Sequence, residues 1–380
     1  MKWEKVKLGN VTDSCLGKML DQNKNKGDYQ PYLANVNVRW GEFDLEDLPL
    51  MKFEESEQER YELKYGDLVI CEGGEPGRCA IWKEQIPNMK IQKALHRVRV
   101  HDCLDYRYLF YWFLLAGKTG ELDQYFTGAT IKHMPGQKLK EVVIDKPPLE
   151  IQHRIADILS AYDDLIENNQ KQIKLLEEAA QRLYKEWFVD LRFPGHENTK
   201  IVDGVPEGWH RGTVGQIAEF KRGRTITKAQ VKGGNVPVVA GGLEPAYYHN
   251  VANTKAPVIT ISASGANAGF VRLYGVDVFA SDCSFVDGLG TESLFFVYEF
   301  LKESKASIDQ LQKGSAQPHV YAKDINAMKI TIPEKEYLER FDRYAKVYFN
   351  KIKTLQGQNE RLKIARDLLL AKLMSGEVEV

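Results

Sequence analysis

The sequence predicts an α/β (α+β) protein with two similar globular domains, separated by two long antiparallel helices that pair as an intramolecular coiled coil with pseudo-two-fold symmetry. The first observation behind this prediction is an internal repeat, in which His133 matches His319 and Pro147 matches Pro333 at a constant offset of 186 residues. The second is that each copy ends in a long amphipathic stretch. A repeat of this length indicates a duplicated domain, which suits a ligand with two comparable halves.

The repeat divides the 380 residues into five segments. We expect globular domains at 1–148 and 209–334, long helices at 149–190 and 335–376, and a linker at 191–208. The chain is long enough for each globular domain to bury a core of its own.

Bulk composition is typical of a globular protein of the cytoplasm. Net charge is only -1, so the chain as a whole is not a general electrostatic ligand for nucleic acid. No apolar run approaches the ~20 residues of a membrane span, and the first residues do not resemble a secretory signal. The five cysteines are scattered, which favours buried thiols over a disulfide framework or a zinc site.

Each globular domain is expected to contain short buried strands and one packed helix. In the first, apolar runs predict strands at 68–71, 91–100 and 142–144, and an aromatic-rich helix at 105–115. The second repeats this plan with strands at 258–261, 270–274, 279–286 and 328–332 and helical structure at 294–312.

Local charge is less even than the total. Two basic clusters stand out, and for either one a solvated loop remains an alternative to a phosphate-binding surface. They comprise Lys221, Arg222, Arg224, Lys228 and Lys232, and Lys90, Lys93, His96, Arg97, Arg99 and His101.

The long segments show heptad spacing with a stutter, which predicts helices of about 40 residues, or ~60 Å at 1.5 Å per residue. Because a lone amphipathic helix must bury its stripe, we expect the two to pair, although separate binding of each to another protein remains an alternative. The predicted stripes are Ile151, Ile155, Ile158, Tyr162, Ile166, Asn169, Ile173, Leu176, Ala180, Leu183 and Trp187, and Leu338, Phe341, Ala345, Tyr348, Ile352, Leu355, Asn359, Leu362, Arg366, Leu369 and Leu373.

Catalytic motifs are missing from the sequence. The segment 145–148 (DKPP) departs from an adenine-methyltransferase motif, and 117–119 (GKT) lacks the upstream glycine of a phosphate-binding loop. No zinc-protease or nucleophile-elbow signature is present. We therefore expect a chain that is not itself an enzyme and holds no metal.

With these features together, the chain resembles the specificity subunits of Type I restriction-modification enzymes. The resemblance covers almost the whole chain and departs at the second domain-to-helix junction, 333–336 (PEKE), which has one proline and no glutamine. The segments that carry it are 32–38 (YLANVNV), 41–44 (GEFD), 63–70 (LKYGDLVI), 73–78, 147–152 (PPLEIQ), 193–196 (FPGH) and 206–209 (PEGW).

This resemblance implies a scaffold that reads double-stranded DNA. Each target-recognition domain would read one half of a split, asymmetric target, and the helices would set the distance between the halves. The chain would recruit two methyltransferase subunits and, through them, restriction subunits. It would carry no cofactor itself, because S-adenosylmethionine, ATP and Mg²⁺ would bind to the partners.

Candidate DNA-binding residues are loop side chains whose donors and acceptors suit bases or phosphates. For each of them an exposed loop side chain without DNA contact is the alternative. They are Asn35, Arg39, Arg78, Lys93, Thr130, Lys132 and His133 in the first domain, and Lys221, Arg222, Arg224, Ser264, Asn267, Gln317 and His319 in the second.

Two rival functions belong to other classes. One is a nuclease or methyltransferase that acts alone, which activity of the isolated chain would support. The other is a coiled-coil adaptor that binds only proteins, which a lack of sequence-selective DNA binding in the assembled complex would support.

Overall fold

The structure is a computed structural model that describes residues 3–21, 25–314 and 317–380. It contains two compact units, Met1–Glu167 with Glu360–Val380, and Asn168–Asn359. These units differ from the predicted segments 1–148 and 209–334 because each of them takes in part of both long helices.

The described residues of the first unit form nine short strands and parts of the long helices. Its strands are β1 (Glu4–Lys7), β2 (Thr12–Leu16), β3 (Asp28–Leu33), β4 (Leu50–Phe53), β5 (Leu68–Cys71), β6 (Cys79–Ile81), β7 (Lys90–Ile91), β8 (Leu95–Val100) and β9 (Val143–Lys146), and its short helices are α1 (Gln58–Tyr61), α2 (Tyr106–Thr119) and α3 (Gly136–Glu141). The first long helix, α4, spans Leu149–Tyr184 and is followed by a π-helical turn at Lys185–Val189.

The second unit has its own strands and helices. Its strands are β10 (Ile201–Val202), β11 (Val205–Pro206), β12 (His210–Thr213), β13 (Lys221–Arg222), β14 (Val236–Val239), β15 (Tyr247–His249), β16 (Val258–Ser262), β17 (Val271–Tyr274), β18 (Phe279–Ala280), β19 (Cys283–Asp287) and β20 (Lys329–Ile332). Its helices are α5 (Val214–Ile217), α6 (Leu294–Glu303), α7 (Lys305–Gln310), α8 (Ala322–Asn326) and the second long helix, α9 (Lys335–Ser375).

The two units share one sheet topology. The first has the strand orders β2-β8-β5-β6, β4-β3-β7 and β1-β9, and the second has β13-β19-β16-β17, β15-β14-β18 and β12-β20. In both, the middle sheet contains one parallel pair, β3 with β7 and β14 with β18. The duplication seen in the sequence is therefore a duplication of the fold.

Two strands that the sequence predicts as continuous are each split in two. The predicted strand 91–100 is β7 and β8, and the predicted strand 279–286 is β18 and β19. In both units the first piece pairs with the middle sheet and the second piece with the larger sheet. The chain must leave one sheet to enter the other, and hydrophobicity alone does not mark that break.

Within the first unit, the two long helices pack against each other and against the sheet domain. Ile155 and Leu159 of α4 and Leu370 and Leu373 of α9 are fully buried members of one apolar core. Leu159 replaces Ile158 of the predicted stripe, since Ile158 is 36% exposed. The buried face is wider than a coiled-coil seam because α4 contacts two neighbours at once.

The start of α4 is fixed by a buried glutamine. Gln152 is fully buried, and its side-chain amide donates to the carbonyl oxygens of Pro147 and Cys103. Its side-chain oxygen accepts from the backbone N–H of Asp105, the residue that caps α2. This glutamine therefore joins the first turn of α4 to the start of α2.

Within the second unit, an aromatic cluster surrounds the end of the first helix. Phe193 lies 4.7 Å from Trp209 and 4.9 Å from Tyr337 between ring centroids. A Cβ at Gly208, whose φ is 84°, would collide with the Glu334 side chain. The FPGH and PEGW segments thus fold back onto the start of α9.

The helices of the second unit pair through a buried polar contact. The Asn169 side-chain amide donates to the Asn359 side-chain oxygen at 2.8 Å, and both residues are more than nine-tenths buried. Trp187, in the π-helical turn that continues α4, contacts Phe341, which lies nearer the start of α9. Ascending numbers on α4 meet descending numbers on α9, so the two helices are antiparallel, as predicted.

No helix among the described residues combines the length and the hydropathy needed to cross a bilayer.

Replacing Asn169 by Leu should lower the free energy of unfolding by roughly 1–3 kcal/mol, because the Asn359 amide would stay buried without a partner. The double variant Asn169→Leu, Asn359→Leu should recover most of this loss, since no polar group is then stranded. Chemical denaturation followed by circular dichroism measures both. Equal stability of the single variant and the parent chain would contradict the role of this pair.

A second prediction concerns the buried carboxyl of Glu299 on α6. Burial, reinforced by Glu177 and Glu303 and opposed by Lys302, raises its pKa to about 8. A raised pKa favours the protonated, folded form, so stability present at about pH 4–5 is lost as the pH rises toward 8. We expect the free energy of unfolding to fall by at least ~1 kcal/mol over this range, and to fall less in Glu299→Gln. The exposed Glu219→Gln variant of the same unit is the control, and parallel pH curves for all three proteins would refute the assignment.

Candidate nucleic-acid interface

A tight hairpin occurs at matching positions in both units. In the first, Thr127 and His133 exchange two backbone hydrogen bonds of 2.7 and 2.8 Å, and in the second, Lys313 and His319 do the same at 2.9 and 2.8 Å. Each hairpin contains a glycine with positive φ, Gly128 at 93° and Gly314 at 100°. A Cβ at Gly128 would lie 2.2 Å from the Ile131 carbonyl oxygen, so the turn requires glycine there.

A second loop meets this hairpin in each unit. Gly73 is the bridge partner of His133, and Ser264 is the bridge partner of His319. The residues that follow, Gly74 and Gly265, both have positive φ, at 77° and 80°. Each unit therefore brings two loops from distant parts of its sequence into contact around one histidine.

In the first unit, Asn35 and Arg78 join this loop pair. The Asn35 side-chain amide donates to the Gly73 carbonyl oxygen at 3.5 Å. Arg78 donates to the Asn35 carbonyl oxygen at 3.0 Å and to the Glu75 carboxylate at 2.9 Å, and its side chain is only 16% exposed. Glu75 also accepts from the Trp40 indole at 2.7 Å. Arg78 is thus fixed by its bonds to Glu75 and Asn35, and the same bonds stabilise the loop that contains Glu75.

The other candidates of the first unit are more exposed. Thr130 and Lys132 lie in the hairpin, where Lys132 is 3.4 Å from Asp123 and above the Phe126 ring. Arg39 is exposed and donates to the Val36 carbonyl oxygen at 2.6 Å. The half-buried Lys93 precedes Ala94, whose carbonyl oxygen accepts from the Glu72 N–H beside Gly73.

In the second unit, the candidates cluster around a carboxylate that sequence reasoning missed. Asp282 accepts hydrogen bonds from the Ser264 hydroxyl and, at 3.2 Å, from the Arg222 guanidinium. Asn267 donates to the Gly241 carbonyl oxygen at 3.4 Å. The backbone of Ser264 also lies close to Gly241, because a Cβ added there would be 2.8 Å from the Ser264 carbonyl oxygen. The structure therefore brings Arg222, Ser264 and Asn267 together.

Three further candidates of this unit are exposed, and one is stacked. Lys221 lies on the edge strand β13 with Arg222, Arg224 lies just after that strand, and Gln317 lies in the hairpin. Within the described ranges no ion pair engages Lys221 or Arg224. Ser315 and Ala316, beside Gln317, lie outside the described residues. The His319 ring stacks on Tyr321 at 6.1 Å, an aromatic neighbour that the sequence comparison of the two histidines did not reveal.

The basic cluster of residues 90–101 is largely internal. Lys90 is fully buried and pairs with Glu62 at 2.6 Å, and Arg99 pairs with Asp67 at 2.7 Å. Arg97 is nine-tenths buried and donates to backbone carbonyl oxygens. His96 is buried beside the Met134 carbonyl oxygen, and burial lowers its pKa. This cluster therefore supports the core of the first unit and presents little charge to a ligand.

The cysteines are free thiols. Burial raises the pKa of Cys71 and Cys79 and raises that of Cys283 to about 12, which disfavours the reactive thiolate. The expectation of buried thiols is wrong for Cys103, which is exposed in the loop before α2. Across the part of the chain that the structure describes, no cluster of three or more His, Cys, Asp or Glu side chains is arranged to hold a metal ion.

The chain matches the family described as Type I restriction modification DNA specificity domain over residues 1–178 and 206–363. These two ranges contain both loop pairs, and together they make up most of the chain. The chain belongs to this family and is a specificity subunit of the Type I restriction-modification class, in agreement with the resemblance found from the sequence.

Individual relatives are similar over most of their length. The MjaIX specificity subunit of Methanocaldococcus jannaschii is 29% identical over 83% of this chain and 78% of the relative, and the HindI specificity subunit of Haemophilus influenzae is 21% identical over 99% of both. The crystal structure of a Type I restriction-modification S subunit from M. genitalium has a TM-score of 0.60 at 19% identity, covering 98% of this chain and 96% of that one. The last similarity shows a shared fold.

Proposed function

We propose that this chain reads double-stranded DNA for its restriction-modification complex, with one half of a bipartite, asymmetric target assigned to each unit. The observation that carries this proposal is the repeated loop pair around His133 and His319. The scaffold is the same in both units, whereas the side chains that it presents differ. One scaffold with two sets of side chains suits two half-sites of different sequence.

The same proposal assigns the chemistry to other subunits. The chain would recruit two methyltransferase subunits and, through them, restriction subunits, and it would act within the cytoplasm. It would have no catalytic activity and no cofactor of its own, since S-adenosylmethionine, ATP and Mg²⁺ would bind to the partners. The absence of catalytic motifs from the sequence supports this division of labour.

Charge is consistent with a selective reader. The chain has a net charge of -1, and several basic side chains of the first unit form ion pairs with carboxylates of the same unit. These internally paired side chains are not available for phosphate contacts, which bind all DNA sequences alike. Affinity would depend more on base contacts and on partner subunits than on general electrostatic attraction.

We expect the isolated chain neither to methylate nor to cut DNA, and the chain assembled with the methyltransferase subunits of its own system to methylate adenines at a bipartite site. Sequencing of modified bases in DNA incubated with S-adenosylmethionine measures this, with the methyltransferase subunits alone as the control. Methylation by the isolated chain would reveal an enzyme. Assembly without sequence selectivity would instead favour the adaptor function.

The candidate residues make a sharper prediction. Gln317→Ala and Arg224→Ala should relax preference only in the half-site read by the second unit, by roughly 1–3 kcal/mol where a base contact is lost. Lys132→Ala should weaken binding to all DNA sequences alike. It should also reduce the slope of log affinity against log salt concentration by about one, the contribution of one phosphate contact. Base preferences of the methylated sites and binding at several salt concentrations distinguish these effects. If both second-unit variants leave that half-site intact, or alter both half-sites together, the residue choice or the modular assignment is wrong.

A further inference from the structure

Each unit contains the same set of backbone hydrogen bonds between its loops, and these matching bonds give a residue-by-residue alignment of the two units. Gly17 donates to the Leu95 carbonyl oxygen as Gly223 donates to that of Cys283, and Glu72 donates to Ala94 as Ala263 donates to Asp282. In this alignment Leu16 is equivalent to Arg222, Gly73 to Ser264 and Ala94 to Asp282. The first unit therefore has apolar residues or glycine at all three positions where the second has a polar cluster.

The cluster is built around the Asp282 carboxylate. One of its oxygens accepts from the Ser264 hydroxyl and the other accepts from Arg222 Nη2 at 3.2 Å. Gly223 makes this approach possible, because a Cβ there would lie 2.4 Å from the Ser281 carbonyl oxygen. Ser264 in turn bridges His319, so the carboxylate lies among the residues assigned to DNA.

A carboxylate at a DNA-facing surface opposes binding to phosphates, so its presence there requires a compensating role. The Arg222 side chain is 58% exposed, and a single bond from Nη2 to Asp282 leaves its other N–H groups free. An arginine held in this way has fewer conformations to lose when it contacts a base. The negative charge also penalises contacts to DNA of the wrong sequence.

We propose that Asp282 is a positioning residue for DNA reading by the second unit: it orients Arg222 toward base edges and lowers affinity for non-target DNA. This proposal rests on the proposed function. It adds a specificity determinant that is negatively charged, whereas a DNA interface is expected to be positively charged. At the position equivalent to Asp282 the first unit has Ala94, so the effect of this carboxylate is confined to one half-site.

The test uses Asp282→Asn in the chain assembled with its methyltransferase subunits. Asparagine keeps the size of the side chain and can still accept from Ser264, so the fold is retained. We expect preference at one or more base pairs of the second half-site to fall about five-fold or more, and preference in the first half-site to be unchanged. Binding to duplex DNA that lacks the target should become about two- to five-fold tighter at low salt. The slope of log affinity against log salt concentration should become steeper by about one, as for one added phosphate contact.

Two controls separate positioning from a general effect of charge or stability. Glu339→Gln removes one negative charge from α9 in the same unit and should leave both half-sites unchanged. In an Arg222→Ala background, Asp282→Asn should cause little further loss of preference, because the carboxylate then has no arginine to orient. Thermal unfolding of each assembled variant verifies the fold.

The outcomes are distinct. Unchanged preference and unchanged non-target binding in Asp282→Asn would overturn the inference, as would a full additional loss in the Arg222→Ala background, which would mean that Asp282 acts without Arg222. Failure of the parent complex to methylate a bipartite site would overturn the proposed function itself.

Discussion

The rest of this structure depends on how the two long helices bury their apolar faces. Neither could remain in water alone, and each is divided between the two compact units, where it pairs with the other helix. Residues 360–380 are therefore part of the first unit's core, through Leu370 and Leu373. The buried Asn169–Asn359 pair adds a register constraint, because any sliding of the helices would strand two amides. Each globular core is thus completed by segments far away in the sequence.

On this shared framework the two units differ mainly in side chains. The backbone of the loops is fixed by glycines with positive φ and by equivalent hydrogen bonds, so substitutions nearby change the chemistry without changing the path of the chain. Lys18 shows this well, since it is buried against Glu57, whereas Arg224 at the equivalent position is exposed. Duplication followed by divergence at such positions gives two surfaces of one shape and different polarity.

Much of the fold follows from the sequence because its signals are local or repeated. The constant offset exposes the duplication, the heptad rhythm predicts the helices, and the aromatic run predicts α2. What was missed depends on pairing between distant residues. The basic run of residues 90–101 suggested a surface, but Glu62 and Asp67 neutralise parts of it from 28 and 32 residues away. Likewise, the breaks inside the segments 91–100 and 279–286 reflect a change of sheet, and that change places Asp282 among the loops.

Charge distribution gives the two units different parts in the proposed reading of DNA. In the first unit Lys18, Lys90 and Arg99 pair with internal carboxylates, whereas Arg39 and Lys132 remain exposed. The second unit keeps Lys221 and Arg224 exposed on and beside its edge strand. These two side chains lie within two residues of Arg222 and add attraction for phosphates at that surface. A carboxylate such as Asp282 is most useful in that unit, because only a surface that already attracts all DNA needs a group that discriminates against the wrong sequence.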